Sequence, residues 1–295
     1  MKKVSVIINC HNGEKYLKKC ISSVINQKYQ NFEIIFFDNF SSDNSKKIAI
    51  DFKEKRLKYF FNKKKIPLYQ ARNKALKKTT GEIIAFLDVD DWWNKNYLSS
   101  REKLFINKNY DYFYSNTLIF YQNSNKYKKY KKYFLPSGKI YKSLAEDYFV
   151  IISGLMIRKK VLKEVGHFND ELNIIGDFDF VMRIAKKFNA HGLNRPLVYY
   201  RIHKNNFSRI NSKIFFKEFK FWLKNQVKLK DKDFFENKKY FEKKLSIFEI
   251  KYLLINKNKN FYLLNKILNY PDLFRKIKYL IAFLIPKIMI KYFIK

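Results

Sequence analysis

Gly81-Glu-Ile-Ile-Ala-Phe-Leu-Asp-Val-Asp-Asp-Trp-Trp93 decides the reading of this chain. An apolar run, Ile83 to Leu87, leads directly into Asp88 and Asp90. Read as a strand, the run places residues two apart on the same side, with α-carbons about 6.6 Å apart. Val89 then turns back toward the core. Two carboxylates held that close repel by several kcal/mol at contact range, for an effective dielectric near 20. A divalent cation removes that repulsion, and hard oxygen ligands suit Mg²⁺ or Mn²⁺. One Asp would suffice to cap a following helix. Three acids within four positions after a buried strand favour a metal site, with Asp88 and Asp90 as its ligands.

Outward from this stretch the first hundred residues alternate strand and helix signals. Val4 to Asn9 reads as a strand, and Leu17, Cys20, Ile21 and Val24 keep helical spacing on one face. Phe32 to Phe37 is a near-continuous apolar run, as in a parallel strand covered on both faces. Ser42 to Phe52 reads as helix and Leu57 to Phe61 as strand. A further helix begins near Pro67, at a position where a first helical turn accepts proline, and Gly81 ends it. This βαβαβαβ order predicts an α/β fold with a doubly wound, mostly parallel, Rossmann-like sheet and right-handed crossovers. In such sheets ligands bind beyond the carboxyl ends of the strands. Asn9, Asn12 and Glu14 follow the first strand, Asp38 and Asn39 end the second, and Asp88 and Asp90 end the fourth. Three strands thus deliver polar groups to one edge. Farther along, helix is expected over Lys95 to Asn107 and strand over Tyr110 to Tyr121. An exposed hairpin or loop is expected over Lys126 to Lys132, and strands over Ile151 to Ile157 and Leu197 to Tyr200. Between those last two strands, Phe178, Val181, Met182, Ala185 and Phe188 mark an amphipathic helix.

The chain has 295 residues, 47% hydrophobic and 19% aromatic, enough for a full core and unlike a disordered polypeptide. Its two cysteines, Cys10 and Cys20, exclude a disulfide framework and fit a reducing cytosol. The N-terminal apolar run is too short for a signal-peptide core, and no continuous stretch of about 20 apolar residues would span a membrane. The net charge of +36 is spread along the chain. From Phe207 onward 22 Lys and Arg face 7 Asp and Glu, a net +15. Codon bias of an AT-rich genome accounts for much of this; the rest suits anionic lipid headgroups or phosphorylated ligands. No nucleic-acid-binding motif accompanies the charge.

Four ordered motifs carry a resemblance. Val4-Ser-Val-Ile-Ile-Asn-Cys-His-Asn-Gly-Glu-Lys-Tyr-Leu17, Asn31-Phe-Glu-Ile-Ile-Phe-Phe-Asp-Asn-Phe-Ser-Ser-Asp43, Ala71-Arg-Asn73 and Phe86-Leu-Asp-Val-Asp-Asp91 resemble glycosyltransferase family 2. The resemblance covers roughly the first two hundred residues. It implies the A-type glycosyltransferase fold, a nucleotide-sugar donor, a divalent metal (Mn²⁺ or Mg²⁺) and inversion at the anomeric carbon. By the same resemblance, Asp38 is placed at the nucleotide base or ribose. Asn39 stands where a second Asp is frequent, and Asn9 and His11 would lie against the nucleoside. Glu14 is a candidate ribose contact; Asn12 reads as a cap of the first helix. Arg72 would meet the donor, since its planar fork binds two oxygens together.

Gly176-Asp177-Phe-Asp179 opens a helix where the family commonly has Glu-Asp, with the Asp taken as catalytic base. Only Asp177 carries over, with Asp179 as the fallback. An inverting transfer needs a carboxylate to take the acceptor hydroxyl proton, and a helix start favours negative charge. Trp92 and Trp93 are read as one sugar-stacking acceptor contact and one core anchor. His203, in Tyr200-Arg-Ile-His203, is a further candidate metal ligand or diphosphate contact.

The sequence therefore divides into a catalytic nucleotide-sugar-binding domain over 1–206 and a basic, amphipathic α-helical region over 207–295. Lys276 to Lys295 interleaves Ile, Leu, Phe and Tyr with Lys, which suits either a helix in a membrane interface or one packed on its own protein. The expected activity is a metal-dependent transfer to a saccharide or lipid-linked saccharide hydroxyl in bacterial surface polysaccharide or glycoconjugate synthesis. The expected place is the cytoplasm or the inner face of the plasma membrane, with an anionic membrane surface as partner and no nucleic acid. Two alternatives stay open. One is a nucleotidyltransferase, which lacks its Gly-rich loop here. The other is a non-catalytic basic membrane- or nucleic-acid-binding protein with a degenerate site.

Overall fold

In a computed structural model, which describes residues 1–206, 211–256, 259–286 and 289–290, the chain forms two compact units, Met1–Lys204 and Asn205–Lys295.

The first unit begins β1 (Val4–Cys10), α1 (Glu14–Ile25), β2 (Phe32–Asp38), α2 (Ser45–Asp51), β3 (Leu57–Phe61), α3 (Leu68–Leu76) and β4 (Ile83–Phe86). It continues with β5 (Trp92–Trp93), α4 (Glu102–Ile106), β6 (Tyr112–Tyr121), β7 (Lys126–Lys129), α5 (Tyr141–Glu146), β8 (Met156–Arg158), α6 (Lys159–Val165), α7 (Gly176–Lys187) and β9 (Ala190–Ile202). All nine strands join one mixed sheet. Strands β3, β2, β1 and β4 lie side by side and parallel, the doubly wound half that the alternating pattern predicts. Beyond β4 the order runs β8, β6, β9 and β5, with β7 pairing β6. Here β9 is parallel to β6, while the other pairings are antiparallel.

The central strands are apolar on both faces because helices cover both. Val4, Val6, Ile8, Ile34 and Phe36 share a core cluster with Leu17, Ile21 and Val24 of α1. One charge is buried at the amino edge of the sheet. Glu33 of β2 accepts from Ser5 Oγ of β1 at 2.6 Å, Thr80 N at 2.7 Å and Lys58 Nζ of β3 at 2.7 Å. Burial alone would raise its carboxyl; these donors outweigh burial and hold it well below the usual carboxylate range.

Three local expectations change. The strand expected over Ile151 to Ile157 is a 3₁₀ turn, Ile152–Gly154, followed by the three residues of β8. The helix expected over Lys95 to Asn107 shrinks to a 3₁₀ turn, Ser99–Arg101, and the five residues of α4. The strand expected over Leu197 to Tyr200 extends to thirteen residues in β9 because it pairs along the length of β6, with a register irregularity between Ser115 and Thr117.

The second unit is helical: α8 (Ser212–Lys228), α9 (Lys232–Asn256), α10 (Phe261–Leu268) and α11 (Leu273–Leu284). Helices α8 and α9 meet through aromatic rings, with Trp222 and Phe241 centroids 5.2 Å apart. Ile250, Leu254, Leu263, Ile267 and Tyr279 form its second core cluster. Asn260 and Asp272 cap α10 and α11 through Leu263 N and Arg275 N. Among the described residues no helix is long and apolar enough to cross a membrane. Of the interleaved stretch Lys276 to Lys295, residues 287–288 and 291–295 lie outside the described residues.

Candidate active site

The carboxyl edge of β1 and β2 carries two loops that cap each other's helices. Asp43 Oδ2 accepts from Glu14 N at 2.9 Å and so caps α1. Glu14 Oε2 accepts from Asn44 N at 2.9 Å, at the entrance to α2. Asn12, expected as the cap of α1, instead sits at φ 54° and receives Ser42 N on Oδ1 at 2.8 Å. This reciprocal arrangement satisfies helix N-termini that would otherwise leave orphan N–H groups, and it gives Glu14, expected at a ribose, a structural partner in Asn44.

Asp38 is fully buried; its Oδ1 accepts from Ser41 N at 2.8 Å and its Oδ2 from Tyr59 Oη at 2.7 Å. Asn39 is also spent internally, donating to Ile66 O at 2.7 Å and accepting from Ile66 N at 3.1 Å. Both residues are thus buried at the carboxyl edge of the sheet and hydrogen-bonded to the loops around them. Two other expected residues remain available. His11 is half-buried with Nδ1 3.1 Å from Asn39 O. Asn9 is half-buried as a residue, yet both its side-chain polar atoms are buried without a hydrogen-bond partner. An orphaned amide costs about 1–3 kcal/mol, and Asn9 carries that cost at the end of β1. Phe40, which sequence reasoning passed over, follows at φ 65° with an exposed ring 6.3 Å from Phe61. A bulky residue in the left-handed region is strained, and the family resemblance at this turn drew attention only to the acids beside it.

The acids after β4 converge by another route than strand pleating. The strand ends at Phe86, and Asp88 to Asp91 form a turn closed by Asp91 N donating to Asp88 O at 3.0 Å. Asp88 is ion-paired with the buried Arg72 guanidinium of α3. Burial raises its carboxyl, Arg72 opposes that, and the neighbouring Asp90 and Asp177 charges add to it, leaving it raised. Asp90 Oδ2 lies 3.0 Å from His203 Nε2, and its main-chain carbonyl accepts from Arg201 Nε at 2.8 Å. Asp91 is buried; it accepts from Ser153 Oγ at 2.5 Å and Arg201 N at 2.9 Å. Burial, then Asp90 and Asp88, pushes its carboxyl well above the ordinary value. Asp91 therefore ties the end of β9 to the acid turn, and Ser153 completes the tie by accepting from Asp88 N at 3.1 Å.

Asp177 opens α7 and faces the same acids, since its charge acts on both Asp88 and Arg72. Tyr69 Oη lies 2.8 Å from Asp177 Oδ1 and 2.8 Å from Ile174 O. Gly176 is the reason the tyrosine fits: a Cβ there would lie 2.5 Å from the Tyr69 ring. Where the family commonly has Glu, this chain has a glycine with a tyrosine packed over it. The fallback Asp179 is buried in a salt bridge with Arg183 one turn along α7.

Both tryptophans are buried, where one core anchor and one sugar-stacking contact were expected. Trp92 stacks on Tyr199 at 5.0 Å with Lys19 Nζ 3.6 Å and Arg201 4.6 Å from its ring centre. Trp93 stacks on Tyr97 at 4.1 Å and donates Nε1–H to Ser153 O at 2.7 Å. Together they anchor β5 behind the acid turn.

Among the described residues no group of three His, Cys, Asp or Glu is arranged to hold an ion. Mg²⁺ and similar ions bound with nucleotides take one or two protein ligands and complete their shell with phosphate oxygens and water. Asp90 and His203, an oxygen and a nitrogen donor already adjacent, fit that requirement. The Asp88 and Asp90 side chains keep 35% and 24% of their surface in solvent.

This geometry can be set beside known proteins. The family model "Glycosyl transferase family 2" matches residues 5–166. The chain is 37% identical over 121 residues to the UDP-Glc:alpha-D-GlcNAc-diphosphoundecaprenol beta-1,3-glucosyltransferase WfgD of Escherichia coli. That match covers 41% of this chain and about half, 48%, of that protein. The fold is similar to S. aureus TarS in complex with UDP-GlcNAc, with TM-score 0.64 at 19% identity over 95% of this chain and 79% of that one. It is also similar to the mannosyltransferase PcManGT of Pyrobaculum calidifontis in complex with GDP-Man and Mn²⁺, with TM-score 0.62 at 14% identity over 99% and 84%. The sheet is thus that of the A-type glycosyltransferases, and with more than half of its length matched by the family model this chain belongs to glycosyl transferase family 2.

Proposed function

We propose that this glycosyltransferase moves a sugar, with inversion, from a nucleoside diphosphate sugar to a hydroxyl of a saccharide or lipid-linked saccharide, in surface polysaccharide or glycoconjugate synthesis. The carrying observation is the convergence of Asp88–Arg72, Asp90–His203 and Asp177–Tyr69 at the carboxyl edge of the sheet. The named relative WfgD, which acts on a diphosphoundecaprenol-linked sugar, supports the acceptor class.

In this reading Asn9 and His11 border the nucleoside pocket, over a floor built by Asp38 and Asn39. Arg72 and Asp88 fix each other's orientation beneath the donor. Asp88 and Asp90, with His203 beside Asp90, would hold Mn²⁺ or Mg²⁺, which would supply positive charge against the departing diphosphate. Asp177 accepts the proton of the acceptor hydroxyl as its oxygen attacks the anomeric carbon. The new C–O bond forms on one face as the bond to the diphosphate oxygen breaks on the other, and the electron pair leaves with the nucleoside diphosphate. The Tyr69 hydroxyl keeps the Asp177 carboxylate aimed.

The test is a screen of UDP-, GDP- and dTDP-sugars with Mn²⁺, reading release of nucleoside diphosphate. Wild type is expected to turn over with one donor class, and Asp90→Asn to lose transfer while retaining its melting temperature. Full activity of Asp90→Asn at the same Mn²⁺ concentration would remove Asp90 from the metal.

A further inference from the structure

Helix α11 has two apolar faces, and only one is used inside its own unit. Tyr279 and Ala282 are buried in the second core cluster. At 3.6 residues per turn, Leu273, Phe274, Ile277, Ile281 and Leu284 fall within a sector of about 100° on the opposite side. They are 67%, 81%, 49%, 43% and 81% exposed. Five large apolar side chains in one exposed row exceed the scattered surface apolars of an ordinary soluble domain. Lys276 and Lys278 flank this row, one on each side, and beyond the capping Asp272 the helix carries no acidic residue. Twelve residues reach about 18 Å, too short to span a bilayer. A short helix with a bulky apolar row edged by lysines matches a helix lying in the plane of a membrane interface, with its amines reaching the headgroups.

We infer that α11 docks on an anionic lipid bilayer through Leu273, Phe274, Ile277, Ile281 and Leu284. The charge of the region selects this occupant. The net +15 from Phe207 onward disfavours a second copy of the same surface and favours a negatively charged one. The inference stands apart from the catalytic reading, because lipid binding is measured without donor, acceptor or metal.

The experiment is co-sedimentation of the full chain with vesicles of phosphatidylcholine alone or with 30–40% phosphatidylglycerol (roughly the anionic content that gives a polybasic surface its purchase). Wild type is expected to pellet with the anionic vesicles, to stay in solution with the neutral ones, and to be released by high salt. Phe274→Glu/Ile281→Glu is expected to reduce pelleting at least tenfold with its circular dichroism unchanged. Should that variant misfold, a fluorescent label on Phe274→Cys reports the same contact, since Cys10 and Cys20 are buried. Its emission should shift to the blue on adding anionic vesicles. Pelleting of the double variant at the wild-type level, equal binding to neutral vesicles, or a label that does not respond would each overturn the inference. So would a wild-type dimer that binds no vesicles and that the double variant breaks into monomers.

Discussion

Replacing Tyr69 by Phe removes one oxygen and separates two roles that the structure gives it. The hydroxyl lies 2.8 Å from Asp177 Oδ1 and 2.8 Å from Ile174 O. It has a single proton, so the carboxylate and the carbonyl share it. A hydrogen bond to a charged group is worth about 1.5–3 kcal/mol. If that bond holds Asp177 in line for the acceptor proton, its loss lowers kcat by about one to two orders of magnitude. The ring stays, so the packing against Gly176 and Phe168 is kept, with Tyr69 and Phe168 centroids 5.6 Å apart. The buried Ile174 carbonyl loses a donor at a cost of about 1–2 kcal/mol, which for a unit of this size lowers the melting temperature by roughly 2–8 °C. Steady-state release of nucleoside diphosphate, with thermal melting in parallel, reads both effects. The expected pattern is a fall in kcat with little change in donor KM. A folded Tyr69→Phe enzyme that melts lower yet keeps kcat within about twofold of wild type would refute the argument. Tyr69 would then be structural only, and Asp177 would not depend on it for the reaction.

Three further outcomes follow from the same geometry. Arg72→Met leaves the Asp88 carboxylate without its buried partner and should cost about 3 kcal/mol. Chemical denaturation checks this, and adding Asp88→Asn should recover part of the loss. Glu33→Gln tests linkage: the folded state holds this carboxyl below its unfolded value, so its stabilisation is present above about pH 4.5 and lost as pH falls. The stability gap between wild type and Glu33→Gln, about 2–4 kcal/mol near neutrality, should therefore close on acidification, and a gap that is constant from pH 7 to pH 2 would refute the assignment. Phe40→Gly relieves a left-handed backbone worth roughly 1–2 kcal/mol but adds chain entropy of about 0.5–1 kcal/mol. Its melting temperature should hold or rise; a clear fall on thermal melting would refute strain at this turn.

The primary sequence carries the fold because its information is local and periodic. Near-continuous apolar strands at Val4 to Ile8 and Phe32 to Phe37, helices with one apolar stripe, and Gly81 ahead of Ile83 admit few arrangements other than a doubly wound sheet. Since parallel strands release their loops at one edge, the same pattern brought Asn9, Asp38 and Asp88 to a common edge of the sheet. The chemical roles of individual side chains were less legible, because an acid at the end of a strand reads alike whether it meets solvent or its own backbone. Asp38, Asn39 and Glu14 were spent on loops and helix ends by partners such as Tyr59, Ile66 and Asn44, and only the packed fold decides which partners arrive. Trp92 and Trp93 went inside because β9 and Ser153 close over them. Gly176 looked like the loss of a family acid; in three dimensions it is the space taken by Tyr69, a residue 107 positions earlier. Sequence spacing determines which face a residue occupies. What that face touches is set by contacts between distant segments, where desolvation and hydrogen-bond satisfaction, rather than local propensity, choose the partner.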